Sequence, residues 1–241
     1  MQAKSTRLER VGERLVILGT VHVDPSSVAQ VGEEISRLRP EVVCLELDPT
    51  RFRVLIDQNV NRKAPRERPG WSGFSVLMMA FLERFAGNLT GSSPGREMLR
   101  AAQAAQQVGA RVVFIDVPIE QTVGMIRRIP VNERVKLVLD SIASLIVLPF
   151  GGKEIGDLAD TLVDQLDNFR KRYPELSKLL IDNREEYMAN QVRRVLDSVN
   201  GVIVVVVGLG HMTSLARKLQ GYTRPVTEAG YSTGATWTVG T

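Results

Sequence analysis

Two hydrophobic rhythms divide the chain. Four short runs show no alternation: Leu15-Val-Ile-Leu18, Val42-Val-Cys-Leu45, Val112-Val-Phe-Ile115 and Val202-Ile-Val-Val-Val-Val207. Short unbroken runs rich in Val and Ile read as strands buried on both faces, the kind found in parallel sheets covered by helices. Elsewhere the apolar residues recur at helical spacing. Val28, Val31, Ile35 and Leu38 mark one face of a helix that opens after Pro25, with Asp24 or Ser26 as its cap, and ends near Arg39-Pro40. Met98, Ala101, Ala102, Ala105 and Val108 mark a second, starting at Pro94-Gly-Arg-Glu97 and stopping at Gly109. The stretch 119–128 predicts another, halted by Pro130.

A strand, a helix and a strand within about 35 residues form a βαβ unit with a right-handed crossover. The first two strands should therefore lie parallel and near neighbours. The fold class is α/β: a mainly parallel or mixed central sheet flanked by helices. Two regions depart from this rhythm. From about residue 59 to 95 the chain is punctuated by Pro65, Pro69, Gly70, Gly73, Gly91, Pro94 and Gly95 around one apolar helix, Phe74 to Phe85, which reads as a mobile lid-like or partner-facing insertion. From about 132 to 198 three successive helical patterns follow: Asn132 to Leu148, Lys153 to Tyr173, and Glu175 towards Ser198. Residues 1–241 read as a single domain carrying this insertion and this helical region.

Composition narrows the partners. Charged residues are 24% and hydrophobic residues 44%, which are globular values. The formal charge of +4 is mildly basic and dispersed, except for Arg51, Arg53, Arg62, Lys63, Arg66 and Arg68. With Phe52 the one aromatic among the first of these, the run reads as a solvated loop, and no nucleic-acid partner is expected. The single cysteine, Cys44, sits inside an apolar strand, so a reducing compartment is the natural expectation. No charged leader opens the chain, and its longest apolar runs fall short of a membrane span. A soluble, cytoplasmic chain is expected.

The chemistry gathers at the strand ends. The chain has two histidines, and each closes the same pattern: Gly19-Thr-Val-His22 after the first buried run and Gly208-Leu-Gly-His211 after the last. Ligands of open α/β sheets bind at the carboxyl ends of the strands, and the glycines would let the backbone turn sharply there. One such imidazole is as readily a packed loop residue; two in one context point to a shared site. Glu46 and Asp48 leave the second strand two residues apart and thus on one face, and Asp116 is a third acid at a strand end. A carboxylate in an apolar strand needs a partner, either a cation or a salt bridge to Arg51 or Arg184. Two imidazoles with carboxylates at one edge suit a divalent metal with positions left open for water and substrate. The segment Asp182-Asn-Arg-Glu-Glu-Tyr-Met-Ala-Asn190 is either a solvated helical face or a source of clamping groups. The helix after His211, Met212 to Leu219, would bring its positive N-terminal end beside that ring.

In this order, and together with Leu45-Glu-Leu-Asp48-Pro-Thr-Arg51, Pro94-Gly-Arg-Glu97 and Arg184-Glu-Glu-Tyr-Met-Ala189, the two Gly-x-x-His motifs resemble the TraB/PrgY family over roughly residues 15 to 217. That family is grouped with the Tiki proteases, the GumN proteins, the haem-associated ChaN lipoproteins and the erythromycin esterases. The resemblance implies a metal-dependent hydrolase, a peptidase acting on a small peptide. His22, His211 and Glu46 would hold a divalent ion such as manganese, zinc or cobalt, and Arg184 would stabilise a developing oxyanion. Asp116 or Glu97 would orient an imidazole or accept a proton. It leaves two other readings open: a binding protein that sequesters a peptide signal, in line with the family's link to pheromone shutdown, and a protein that binds metal or haem without turnover. Many prokaryotic members continue into a hydrophobic C-terminal region, so the resemblance also implies membrane association through such a region, and a homodimer is compatible with it. Two departures bear on the pocket. Asn183-Arg184-Glu185 stands where the family commonly has Glu-Arg-Asp, and Asp116-Val117-Pro118 where many members have Asp-Arg-Pro.

Overall fold

In a computed structural model of the chain, the described residues are 6–20, 25–60, 95–118, 120–121, 129–133, 135–136 and 168–222. They form one five-stranded sheet with helices on both faces. The elements in chain order are β1 (Thr6–Val11), β2 (Leu15–Thr20), α1 (Pro25–Leu38), β3 (Val42–Leu45), α2 (Pro49–Val60), α3 (Arg96–Gln107), β4 (Arg111–Phe114), α4 (Pro174–Ser177), α5 (Asn183–Ser198), β5 (Ile203–Gly208) and α6 (Leu209–Leu219). The spatial order of the strands is β1-β2-β5-β3-β4. All neighbours are parallel except β1, which pairs antiparallel with β2. The mixed α/β sheet expected from the unbroken apolar runs is present.

The period-two alternation of side chains sorts these runs onto two cores. Ile203, Val205 and Val207 face α5 and α6 together with Leu15 and Ile17. Val204 and Val206 face α1 and α3 with Val16, Leu18, Val43 and Leu45. Every residue from Ile203 to Val207 is fully buried, which accounts for the lack of alternation in the sequence. It also sets a strand order that the sequence left open. β2 and β3 are parallel near neighbours, as the βαβ unit requires, with β5 between them. The strand with apolar side chains on both faces takes the centre, where neither face meets water.

Three differences from expectation have local causes. β1 was not anticipated: Thr6-Arg-Leu-Glu-Arg-Val11 is an edge strand whose Leu8 remains exposed, so its apolar signal is thin. It joins β2 through a tight turn at Gly12 (φ 66°), the left-handed conformation that favours glycine. The start of the basic run is helix α2 rather than a solvated loop, because Asp48 accepts the backbone N–H groups of Thr50 and Arg51 and so caps it. Finally, the glycines of the two Gly-x-x-His motifs do not make sharp turns. Gly19 lies within β2, and Gly208 has φ −60° and ψ 143°, which other residues adopt readily. Gly19 is instead a point of close approach: a Cβ there would collide with Met212 Sδ and come within 3.0 Å of Leu209 Cδ1, both on α6.

The helix predicted from Glu175 to Ser198 begins at Pro174 and contains a wide π-helical turn at Lys178–Asp182, which leads directly into α5. Its start is tied to the segment before it by Glu133, a buried acid whose carboxylate accepts the N–H groups of Glu175 and Leu176. Most of the lid-like insertion at 59–95, most of the expected helices over 119–128 and 132–173, and His22 itself lie outside the described residues. Among the described residues no helix is long and apolar enough to cross a membrane.

The close approach at Gly19 predicts that Gly19→Val pushes α6 off the sheet. Overpacking of this kind costs about 1–3 kcal/mol, so the urea midpoint should fall accordingly. An unchanged midpoint would contradict the packing described.

Candidate functional site

The parallel strands deliver their carboxyl ends to one edge. Thr20 pairs with Gly208, and the β3–β5 ladder continues past Leu45 through the N–H of Glu46, which donates to Val206 O at 3.1 Å. The strand that leads to His22 and the strand that leads to His211 are thus adjacent and end together, as the repeated motif implied. The His22 side chain lies outside the described residues. His211 does not follow its strand as a loop residue: α6 opens at Leu209, so the ring sits in the first turn of that helix.

Glu46 is the hinge of the cluster. Its Oε2 accepts the N–H of Gly208 at 2.7 Å and its Oε1 accepts Arg184 Nη2 at 2.6 Å. The same Oε1 lies 3.6 Å from His211 Nε2, too far for a hydrogen bond. Of the two arginines the sequence left open as its partner, Arg184 is the one it meets. Arg184 also donates from Nε and Nη2 to the two oxygens of Asp116, both at 2.7 Å. Asp116 Oδ2 takes in addition Arg51 Nη2 at 2.6 Å, while Oδ1 accepts the N–H of Val117 at 2.8 Å. Arg51 is fixed from its other side by Asp48, to which its Nε donates. Arg51 Nη2 also donates to Val117 O, so a cation stands beside Val117.

Asp48 therefore does not share Glu46's partner. The chain turns at once after β3, with Leu47 N donating to Leu45 O at 2.7 Å, and strand alternation stops there. Asp48 is left to cap α2 and hold Arg51. The hydrogen bonds of Asp116 go to the two arginines and to Val117, and none goes to His211. Burial alone would raise its carboxyl, but the charges and hydrogen bonds of Arg184 and then Arg51 outweigh that and hold it well below the usual carboxylate range. Burial opposes the charge of Arg184 in turn, and Asp116 and Glu46 keep it protonated. Glu97 is buried in the first turn of α3 and takes no part in the bonds just described.

The imidazole of His211 is met by Glu185, a residue that the sequence brought forward through the family resemblance, in Asn183-Arg184-Glu185, but without a partner. Glu185 Oε1 lies 3.1 Å from His211 Nδ1, and Glu185 Oε2 accepts the hydroxyl of Ser214. Burial would push this carboxyl up, but the hydrogen bonds from His211 and Ser214 hold it below its ordinary value. A signal was present in the residues. Glu185, Met188, Ala189, Val192 and Leu196 are the buried stripe of α5, so an acid interrupts an otherwise apolar helical face. The wide turn before α5 inserts one residue and rotates α5 by about 100° relative to a regular helix. Arg184 and Glu185, about 100° apart as consecutive helical residues are, reach two different partners. Ser214 carries no comparable pattern.

Cys44 is fully buried in β3, where burial pushes its thiol up to about 12 against the weaker opposing charge of Arg111, so it is a packing residue. Among the described residues no group of three or more His, Cys, Asp or Glu side chains is arranged to hold a metal ion. His211 and Glu46 bring two donor atoms to a common space.

The site is thus an acid-rich cluster, clamped by two arginines, at the carboxyl edge of a mainly parallel α/β sheet. The TraB/PrgY/gumN family model matches residues 5–223, and the chain belongs to that family. It is similar to the uncharacterized protein MJ1365 of Methanocaldococcus jannaschii, with 28% identity over 219 residues that cover 86% of this chain and 53% of the relative. The chain spans about half the length of that relative.

The depressed Asp116 carboxyl makes a prediction about acid. A group whose folded pKa lies below its unfolded value of about 3.9 stabilises fully above that pH, and its contribution is lost as pH falls further. Stability should therefore drop below about pH 4. Asp116→Asn removes this contribution, so its stability should be about 3 kcal/mol lower at neutral pH, where a charge pair is broken, and its acid limb should be shallower. Urea unfolding at stepped pH measures both; a wild-type acid limb in the variant would contradict the assignment.

Proposed function

We propose that the chain is a metal-dependent hydrolase that acts on a small peptide. The observation that carries this reading is the pair His211 Nε2 and Glu46 Oε1, two ligand-capable atoms 3.6 Å apart with no hydrogen bond between them. Two donors at ~2.0–2.1 Å from a tetrahedral zinc ion stand about 3.3 Å apart, so the spacing suits a shared cation. Charge points the same way. Among the described residues, the carboxylates of Glu46, Asp48, Asp116 and Glu185 stand against the guanidinium groups of Arg51, Arg184 and, 3.9 Å from Glu185, Arg170, which leaves one negative charge in excess for a divalent cation to balance. His22, two residues beyond the end of β2, would complete the ligand set as the third donor. Manganese, zinc and cobalt all suit a site of imidazole and carboxylate.

A divalent ion held there supplies acidified water and a polarised carbonyl. The remaining work falls to the chain's own residues. Gly208 N–H fixes one oxygen of Glu46 and so aims the other towards His211. Asp116, by binding two guanidinium groups, makes the position of Arg184 rigid, and a rigid cation stabilises charge that develops on a substrate oxygen without reorganising at the moment of reaction. The peptide as substrate rests on the grouping of the TraB/PrgY family with the Tiki proteases. The half of the relative's length that this chain does not span leaves room for further contacts in a longer protein.

The test is to strip the full chain with a chelator and incubate it with a peptide pool, with and without manganese, zinc or cobalt. Mass spectrometry should show cleavage that appears with metal and falls by more than about 100-fold in His22→Ala and in His211→Ala, beyond what losing a supporting group around a metal costs. Saturable peptide binding that survives both changes, with no cleavage under any metal, would replace the hydrolase reading with that of a peptide-signal-binding protein.

A further inference from the structure

We propose that Glu185, backed by Ser214, is the positioning residue that holds His211 in its Nδ1–H tautomer and so presents the Nε2 lone pair to the space shared with Glu46. The use of that lone pair rests on the metal-dependent reading above; the tautomer itself does not. An ionised carboxylate can only accept, so the imidazole nitrogen it meets at 3.1 Å must be the donor. The other ring nitrogen then carries no proton in the neutral ring. Its geometry agrees: Nε2 is 3.6 Å from Glu46 Oε1, which already takes Arg184. Arg184 and Glu185 thus divide the pair between them, one fixing the carboxylate and the other the imidazole.

Two observations separate this from a simple buried acid. The Glu185 side chain is 3% exposed, and its second oxygen is taken by the Ser214 hydroxyl of α6, so the carboxylate cannot rotate away from the ring without losing a bond. Among the described residues, Arg170, 3.9 Å from Oε1 on the helical residues 168–172, and Arg184, the neighbour on α5, are further charges that it feels. Nor is Glu185 there to cap a helix. An acid in the first turn ordinarily serves free N–H groups, but α5 continues from the π-helical turn and its first turn is already bonded from behind. A carboxylate behind a ligating imidazole fixes the ring and raises its basicity, and loss of such a group typically costs 10–100-fold in metal affinity.

The chain has two histidines, so long-range proton–nitrogen NMR of the metal-free, nitrogen-15-labelled protein reads the tautomers directly, with His22→Ala assigning the signals. At about pH 9 an unperturbed imidazole is neutral. His211 should show the Nδ1–H form. Glu185→Met should move it towards the Nε2–H form that dominates in free histidine, Ser214→Ala should do so less, and Glu185→Asp should retain part of the preference. Far-UV circular dichroism and an unmoved His22 signal establish that the fold is intact. Zinc affinity, from competition with a chelator, should fall about 10–100-fold in Glu185→Met. A wild-type His211 protonated at Nε2, or a folded Glu185→Met with the wild-type tautomer, overturns the proposal; if Glu185→Met does not fold, the wild-type tautomer and Ser214→Ala decide it. The expected tautomers in a protein that binds none of manganese, zinc and cobalt would uphold the positioning role and sink the hydrolase reading, so the two fail separately.

Discussion

The contact on which the site depends is the guanidinium of Arg184 between Glu46 and Asp116. It joins residues 138 and 68 positions apart in the chain and ties the end of β3, the end of β4 and the start of α5 into one cluster. Asp116 has no exposed side-chain surface and Glu46 little. Acids in such positions are tolerated only when paired, and removing one partner of a buried charge pair costs about 3–5 kcal/mol because the others are left stranded. Arg51 extends the clamp to α2, and Glu185 with Ser214 extends it to α6. The carboxyl edge of the sheet is therefore held by charge, where the strands behind it are held by apolar packing.

That division explains what could be read from the residues. Burial on both faces erases alternation in β2, β3 and β5, so the unbroken runs ending at Leu18, Leu45 and Val207 marked those strands; the run ending at Ile115 marked β4, which lies at the sheet's other edge and is only half-buried; and the repeated Gly-x-x-His placed the strands leading to His22 and His211 at one end of the sheet. The position of β5 between β2 and β3 was not legible, since strand order depends on which run packs best at the centre and not on the order of synthesis. β1 escaped notice because an edge strand with polar residues on its open side resembles a loop. The reading of Gly19 failed for a related reason: its need for glycine comes from Met212 and Leu209 on a helix nearly 200 residues away.

The candidate site divides the same way. Glu46 stood out as a charge inside an apolar run, and its pairing with Arg184 was one of two options visible in advance. Asp48 read as an acid beside His22 and Asp116 as one that would orient an imidazole or accept a proton, yet the structure bonds both to arginines, because the chain turns at Leu47 and brings Arg51 under both acids. Glu185 entered through the family resemblance without a partner, and the helical period of Met188, Ala189 and Val192 is what sets it apart from Glu186 on the solvent side. What the family and the fold support together is a site of one architecture, with its chemistry resting on whether His211 and Glu46 share a cation.

Anomalous scattering from crystals soaked in manganese or zinc addresses that most directly. The account predicts one strong peak between His211 Nε2 and Glu46 Oε1, ~2.0–2.2 Å from each, with the His22 ring as the third protein ligand. Crystals in which both histidines and Glu46 are ordered and the peak is absent, or lies away from them, would contradict it.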